Sequence, residues 1–280
     1  MTARERKVPV QMSSPSESPS SPPQALSLSK GHPRYNVLGV GVSALTLPQA
    51  RDLVLGARGA LRLGYVCVTP VHAVSEAQDD PAFRKILNES FLTTPDGMPL
   101  VWLAPRGVGR VYGPDLMLAV CDAGRAAGLK HYFYGGAPGV AELLREKLCA
   151  RFPGLEVVGT YTPPYRPLNP DEAAALRADV ARTRPDIIWV GLGTPKQERF
   201  MAENWQTLDA GLLIGVGAAF DFHSGRVRQA PRWMQRCGLE WFFRLCSEPR
   251  RLGPRYLKTN PLFALRIAAQ KTGLKKYPMT

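Results

Sequence analysis

The stretch that decides the fold is residues 185–225, which read PDIIWVGLGTPKQERFMAENWQTLDAGLLIGVGAAFDFHSG. It contains two short apolar blocks, Asp186–Val190 and Gly211–Gly215, each bounded by turn residues. Blocks of this kind are typical of strands that are covered on both faces. The residues between the blocks predict a helix that reaches about Trp205. The stretch therefore predicts two buried strands joined by a turn and a helix.

The turn after the first block has the features of an anion site. Gly191 and Gly193 permit tight backbone geometry, Pro195 suits the first position of a helix, and Thr194 is a candidate N-cap. The helix N-terminus then presents N–H groups and a partial positive charge to the crevice above the sheet, and Lys196 adds a full charge. We interpret the turn as a diphosphate site. On pattern alone, an ordinary tight connection fits equally well.

Strand and helix patterns alternate along the chain. The other strand patterns are Asn36–Val42, Tyr65–Thr69, Phe91–Thr94, His131–Gly135 and Glu156–Thr160. The other helical patterns are Pro48–Leu61, Val71–Asn88 with a break at Pro81, Asp115–Ala127, Gly139–Phe152 and Pro170–Thr183. This alternation predicts an α/β fold with a doubly wound, mainly parallel, Rossmann-like sheet. Ligands of such folds bind beyond the carboxyl ends of the strands.

Charge and composition divide the chain into three parts. Residues 1–33 hold eight Ser, six Pro and few apolar residues, which predicts a disordered N-terminal tail. Residues 226–280 carry 13 Lys/Arg and two Asp/Glu, so they account for +11 of the net charge of +13. Residues 34–225 are therefore near neutral and are interpreted as the α/β domain. The basic helical C-terminal appendage, residues 226–280, favours an anionic surface or ligand, with a solvated tail as the alternative.

Cysteine usage and hydropathy indicate the compartment. The five cysteines are scattered and form no CxxC pair, which favours reduced thiols, a cytoplasmic setting and no structural zinc. The longest strongly apolar uncharged run, residues 210–220, is too short to cross a bilayer. The N-terminus has no apolar stretch of the signal-peptide type.

Several polar residues follow predicted strands. Asp96 comes after Phe91–Thr94 beside Gly97, where its carboxylate is either exposed to the crevice or caps the turn. Asp221 follows Gly211–Gly215 and either accepts hydrogen bonds from sugar hydroxyls or caps a loop. The glycine pair at positions 135 and 136 forms another turn that suits either a tight connection or phosphate contact. The sequence has no DxD pair that would hold a divalent metal beside a diphosphate.

The motifs GTPKQE at 193–198 and GVGAAFDF at 215–222 resemble those of the WecG/TagA/CpsF family of glycosyltransferases, glycosyltransferase family 26. The resemblance runs from about Tyr35 to Tyr256. It implies an inverting, metal-independent and cofactor-free transfer of a sugar from a UDP-sugar donor. The implied acceptor is a polyprenyl-diphosphate-linked sugar of surface polysaccharide or cell-wall polymer biosynthesis.

The resemblance also implies roles for single residues. Asp96 matches the family's DG motif, whose Asp is the general base, and Arg110 would face the acceptor or the diphosphate. Asp115 would cap the following helix. The residues implied or interpreted as donor-binding are Thr69, His72, Gly191, Gly193, Thr194, Lys196, Gln197 and Asp221. Two positions depart from the family pattern: Val71, before His72, stands where many members have Asn, and Gln229 stands where many have Arg.

The segment PRWMQRCGLEWFFRLCSEPRRLGPRY, residues 231–256, mixes arginines with bulky apolar residues. This mixture predicts an interfacial segment at an anionic membrane surface, peripheral on the inner face of the plasma membrane. It resembles the family's tail, which is held to close over the active site and to bind lipid diphosphates. We assign Arg244, Arg251 and Arg255 to phosphate binding because the arginine fork pairs with phosphate oxygens. An ordinary terminal helix is the alternative, and homo-oligomer formation stays open.

Two other functions fit parts of the sequence. A dinucleotide-dependent oxidoreductase shares the layered pattern, but Gly39-Val-Gly41 is only a partial fingerprint and lies inside a predicted strand. A nucleic-acid-binding protein would use the arginines and aromatic residues of the appendage to hold phosphates and stack bases.

Overall fold

The computed structural model describes residues 32–279, apart from the side chains of Arg251 and Arg255. Residues 1–31 of the predicted disordered tail lie outside the described residues. A six-stranded, fully parallel sheet forms the centre. Its strands are β3 (Gly64–Thr69), β4 (Leu92–Pro95), β5 (Lys130–Gly135), β6 (Glu156–Tyr161), β7 (Ile187–Gly191) and β8 (Leu212–Gly215). Their order across the sheet is β4-β3-β8-β7-β5-β6. The prediction of a mainly parallel α/β sheet is confirmed.

Helices cover both faces of this sheet. In chain order they are α1 (Leu47–Leu55), α2 (Val71–Asp79), α3 (Pro81–Glu89), α4 (Met98–Leu103), α5 (Gly113–Gly124), α6 (Val140–Arg151), α7 (Pro170–Thr183), α8 (Lys196–Asn204), α9 (Ala219–His223), α10 (Arg232–Arg236), α11 (Glu240–Ser247) and α12 (Pro249–Lys271). Helices α2 and α3 meet at Asp80, whose carboxylate accepts a hydrogen bond from the Phe83 amide at 2.9 Å. The predicted break at Pro81 is therefore present, whereas α4 was not predicted.

Two hydrophobic cores lie on opposite faces of the sheet because strand side chains alternate in direction. Trp189 of β7 belongs to one core together with Leu116 of α5 and Leu144 of α6. Val190, the next residue, belongs to the other core, where Val74 of α2 also packs. Strands buried on both faces need apolar residues at every position, which is the pattern seen in the sequence. The double winding of the fold is therefore confirmed.

The predicted strand Asn36–Val42 is wrong. Two short antiparallel strands, β1 (Arg34–Val37) and β2 (Val40–Ser43), form a separate hairpin there. Leu38 and Gly39 both have positive φ, 52° and 82°, and the Gly39 amide donates to Asn36 Oδ1 at 2.7 Å. This turn reverses the chain within two residues. The partial glycine fingerprint thus lies in a hairpin and not between a parallel strand and a helix, which counts against the dinucleotide alternative.

The winding direction of the sheet reverses between two neighbouring strands. Helix α6, which follows β5, packs in one core, whereas α8, which follows β7, packs in the other. Strands β5 and β7 are adjacent, with Gly135 opposite Gly191 at their carboxyl ends. A crevice opens at such a switch point, and ligands of α/β proteins bind there.

The basic appendage is helical and contacts the α/β domain. Helix α12 packs along α2, where Arg266 forms an ion pair with Asp79 at 3.0 Å. Farther along α12, Gln270 accepts a hydrogen bond from the Leu38 amide at 3.0 Å. Among residues 32–279, no helix combines the length and hydropathy needed to cross a membrane. The boundary at residue 225 stays a prediction.

Candidate functional site

A cleft of ≈ 1980 Å³ lies at the carboxyl edge of the sheet, between the strand ends and the appendage. The predicted site residues that line it are His72, Asp96, Arg110, Gly191, Gly193, Thr194, Lys196, Gln197, Asp221 and Arg244. Asp96 and the turn after β7 therefore share one cavity. This proximity arises because the carboxyl ends of parallel strands meet at the same edge of a sheet.

Asp96 is one of the acids that line this cleft. It directly follows β4, its amide donates to the Thr69 carbonyl at 3.2 Å, and its Oδ1 accepts from the Gly113 amide at 3.2 Å. The pKa of Asp96 is raised to about 6, chiefly by burial; the charge of Arg110 opposes this rise and the charge of Glu240 adds to it. A carboxyl group with this pKa is ionised at neutral pH but is a better proton acceptor than an exposed Asp.

Arg110 lies against Asp96 and is held on three sides. Its Nε donates to the backbone carbonyl of Asp96, and its guanidinium lies 4.0 Å above the ring of Tyr112. Its Nη2 forms an ion pair with Glu240 Oε2 at 2.6 Å, and the Tyr112 hydroxyl donates to the other oxygen of Glu240 at 2.6 Å. A cation and an acid thus face the cleft side by side.

The glycines of the β5 and β7 turns allow two backbones to approach closely. The Gly136 amide donates to the Gly191 carbonyl at 3.0 Å. A Cβ atom on Gly135 would lie 2.7 Å from the carbonyl carbon of Gly191, and one on Gly191 would lie 2.7 Å from the ring of Phe220. Side chains at these positions would separate the turns and fill the crevice. The glycine pair thus makes a tight connection, and since Gly136 also lines the cleft, phosphate contact stays a prediction.

The GTPKQE turn is fixed by a buried acid. Glu198 Oε1 accepts from Thr194 Oγ1 at 2.9 Å and from Gln197 Nε2 at 3.0 Å, while Gln197 Oε1 accepts from the Gly193 amide at 3.2 Å. The predicted N-cap role of Thr194 is wrong, because its hydroxyl is engaged by Glu198 and Pro195 occupies the cap position. Burial raises the pKa of Glu198, which favours its neutral form. Gln197 is buried and positions the turn.

Other cationic and acidic side chains surround the cleft. Lys196 is exposed at the start of α8, and Asp221 lies in the first turn of α9. Arg244 lies 5.9 Å from the ring centroid of Phe222, and its charge lowers the pKa of Asp96. Negative groups of a substrate would meet cations from both parts of the chain here, including Lys196 from the body and Arg244 from the appendage.

One predicted site residue lies outside the cleft, and the side chains of two others are not described. Thr69 is fully buried, and its hydroxyl donates to the Cys67 carbonyl at 3.0 Å, so it supports Asp96 only through its backbone. Arg251 and Arg255 belong to α12, but their side chains lie outside the described residues.

Asp115 does not cap α5 as predicted. The helix begins at Gly113, whose amide is bound by Asp96, and Asp115 lies within the first turn. Both carboxylate oxygens of Asp115 instead accept from Arg232 Nη1 at 2.9 Å. This residue therefore ties the appendage to the body.

Three residues of the site were not predicted. Tyr112 and Glu240 line the cleft, and Glu198 holds the turn after β7. Glu198 lies in the GTPKQE motif and Glu240 in the segment 231–256, but cations are the residues expected beside a diphosphate, so these two acids were not predicted. Among residues 32–279, no group of three or more His, Cys, Asp and Glu is placed to hold a metal ion. Metal independence stays an expectation.

Comparisons with known proteins identify relatives of this chain. The model of the "Glycosyl transferase WecG/TagA/CpsF family" matches residues 35–277. A relative from Bacillus subtilis (strain 168), named N-acetylglucosaminyldiphosphoundecaprenol N-acetyl-beta-D-mannosaminyltransferase, is 28% identical over 214 residues. The match covers 75% of this chain and 80% of that relative.

Proposed function

Since the chain belongs to the WecG/TagA/CpsF family of glycosyltransferases, we propose that it transfers a sugar from a UDP-sugar to a polyprenyl-diphosphate-linked sugar. The name of the Bacillus subtilis relative supports an acceptor of this class, because that protein acts on an undecaprenol-diphosphate-linked N-acetylglucosamine. The product would enter a surface polysaccharide or cell-wall polymer. The observation that carries the proposal is the shared cleft of Asp96, Arg110 and the turn after β7.

The donor would lie at the crevice between β5 and β7. Gly191 and Gly193 keep this crevice open, and the N-terminus of α8 with Lys196 offers positive charge to the diphosphate. The leaving UDP needs this stabilisation because negative charge develops on its terminal phosphate as the glycosidic bond breaks. His72 and Asp221 line the same cleft and can contact the sugar or the ribose.

The acceptor would approach from the side of β4. Asp96 takes the proton of the acceptor hydroxyl while that oxygen attacks the anomeric carbon. The new bond forms as the bond to the diphosphate breaks, so UDP leaves with the bonding electrons and the configuration inverts. Arg110 and Arg244 provide cations for the diphosphate of the acceptor.

The decisive experiment is a panel of UDP-sugars offered to the full-length protein with a polyprenyl-diphosphate-linked N-acetylglucosamine. We expect release of UDP and a lengthened lipid-linked product with one donor and no release without acceptor. Absence of UDP release with every donor would contradict the proposal. The same panel run with chelator tests metal independence, since an unchanged rate is expected.

The rate should depend on pH through Asp96. Because the pKa of Asp96 is raised to about 6, its carboxylate gains a proton as the pH falls through that value and can no longer accept one. We expect kcat/KM to fall about tenfold for each pH unit below about 6. A pH–rate profile between pH 4.5 and 8 checks this, and a flat profile down to pH 5 would contradict it.

Aromatic side chains on the appendage would hold the protein to the membrane from its cytoplasmic side. Trp233 is 61% and Phe242 is 48% exposed, and arginines flank both. Replacing both with Ser should lower the affinity for vesicles containing phosphatidylglycerol by about tenfold or more, because two large apolar groups no longer leave water on binding. Cosedimentation with the vesicles measures this affinity.

The matched control for this experiment is Leu61→Ser. Leu61 is 51% exposed but precedes β3, at the opposite edge of the sheet from the cleft. Vesicle binding should stay at the level of the unmodified protein. Equal loss in both variants would indicate nonspecific adhesion, and oligonucleotide binding stronger than vesicle binding would favour the nucleic-acid alternative.

A further inference from the structure

The appendage reaches the reacting groups through an acidic side chain. Helix α11 begins at Glu240, whose Oε2 lies 2.6 Å from Arg110 Nη2 and whose Oε1 accepts from the Tyr112 hydroxyl at 2.6 Å. The Arg110 and Glu240 side chains are only 17% and 12% exposed. This ion pair is therefore largely removed from water, unlike the Arg232–Asp115 pair, in which the arginine is 61% exposed.

An acid is unexpected on the wall of a diphosphate site. Glu240 neutralises part of the positive charge that Arg110 would offer to a phosphate. Removing the Glu240 carboxylate from water also costs free energy. A buried ion pair adds little net stability compared with apolar packing of the same volume. Stability alone therefore does not account for the carboxylate at this place.

A role in orienting the Arg110 guanidinium explains the presence of Glu240 better than stability does. Two contacts of Arg110 come from the body, namely the Asp96 carbonyl and the Tyr112 ring, and the Glu240 contact comes from the appendage. The guanidinium is planar and donates in fixed directions, so these contacts fix where its remaining donors point. Without Glu240, the Arg110 head group would keep only its contacts with the Asp96 carbonyl and the Tyr112 ring, and its Nη2 group would lose the partner that fixes its direction.

We propose that Glu240 is a positioning residue of the transfer reaction, which orients the Arg110 guanidinium beside Asp96. This inference rests on the proposed function. Glu240 contacts Arg110 and acts through it, whereas Asp96 and Arg110 face the substrate.

The electrostatics of the site provide a readout that a purely structural residue would not change. Two groups that face Asp96, Arg110 and Tyr112, come from the loop that precedes α5. Two others, Glu240 and Arg244, come from α11. His72 and Lys196 lie in the same cleft. Glu240 raises the pKa of Asp96, while Arg110 and Arg244 lower it. Removing the charge of Glu240 should therefore shift the acid limb of the pH–rate profile to lower pH.

The test uses Glu240→Gln in the full-length protein, with the UDP-sugar and lipid-linked acceptor that the unmodified protein uses. We expect kcat to fall on the order of 10- to 100-fold, because the reacting groups are misplaced, with less change in the donor KM. The acid limb should move to lower pH. Glu240→Asp should restore part of the rate, and Glu146→Gln, an exposed change on α6 outside the cleft, should have no effect.

A second variant guards against failure of the first to fold. Tyr112→Phe keeps the ring beneath Arg110 but removes the hydroxyl that holds Glu240, so a smaller loss of kcat with the same direction of pH shift is expected. Wild-type kcat and an unshifted acid limb in both variants would overturn the inference and leave the proposed function intact. Absence of UDP release by the unmodified protein would overturn both.

Discussion

Replacing Asp96 with Asn is expected to lower kcat by about 10²- to 10⁴-fold, because the reaction loses its proton acceptor. Asn has the size of Asp and can still accept the hydrogen bond from the Gly113 amide, which Asp96 Oδ1 accepts at 3.2 Å. The local fold should therefore persist while the base is lost. UDP release under saturating donor and acceptor measures the effect.

Two further variants show whether the loss belongs to Asp96. Asp221→Asn removes the other carboxylate that the sequence predicted for this cleft, and we expect a smaller loss that falls mainly on the donor KM. Asp122→Asn changes an exposed carboxylate on α5 and should leave the rate unchanged. Full turnover by the Asp96→Asn protein, or a larger loss in Asp221→Asn, would move the role of base away from Asp96.

Replacing Gly135 with Ala is expected to lower the free energy of unfolding by ~3 kcal/mol or more, from backbone strain and overpacking together. Gly135 has a φ of +125°, and an added Cβ would lie 2.7 Å from the carbonyl carbon and oxygen of Gly191. The atoms it meets belong to backbone inside the parallel sheet, so they cannot move aside as a side-chain end would. Urea denaturation with an unchanged slope measures this loss.

Gly139→Ala separates the two contributions. Gly139 also has a positive φ, +79°, but an added Cβ would meet no atom within 4 Å. We expect a loss of only ~1 kcal/mol there, the strain contribution alone. Equal destabilisation in both variants would show that the close approach of the β5 and β7 turns does not matter for stability.

The alternation of patterns predicted much of this protein because the signals are local. Burial on both faces demands apolar residues in β7 and β8, and their lengths and bounding turns can be read directly. A parallel sheet then brings the carboxyl ends of its strands to one edge, so Asp96 and the turn after β7 could be expected to meet. The same logic failed at residues 36–42, where a two-residue turn with positive φ interrupts an apolar run.

The roles of individual side chains at the site depended on packing between distant parts of the chain. Thr69 turns its hydroxyl to the Cys67 carbonyl and away from the cleft, and Thr194 bonds Glu198 instead of capping α8. Each choice satisfies a buried polar group, and the demand for a partner arises only once the surroundings exclude water. The local sequence pattern therefore does not show which partner a buried polar side chain will bind.

By itself, the sequence determined the layered α/β architecture and the edge of the sheet where the site lies. Periodicity and turn chemistry act over a few residues, so one chain segment is enough to reveal them. Only the tertiary structure decided that Glu240 would meet Arg110 across 130 residues of sequence. That pairing depends on how the appendage packs over the cleft, and the alternation of apolar and polar residues does not encode it.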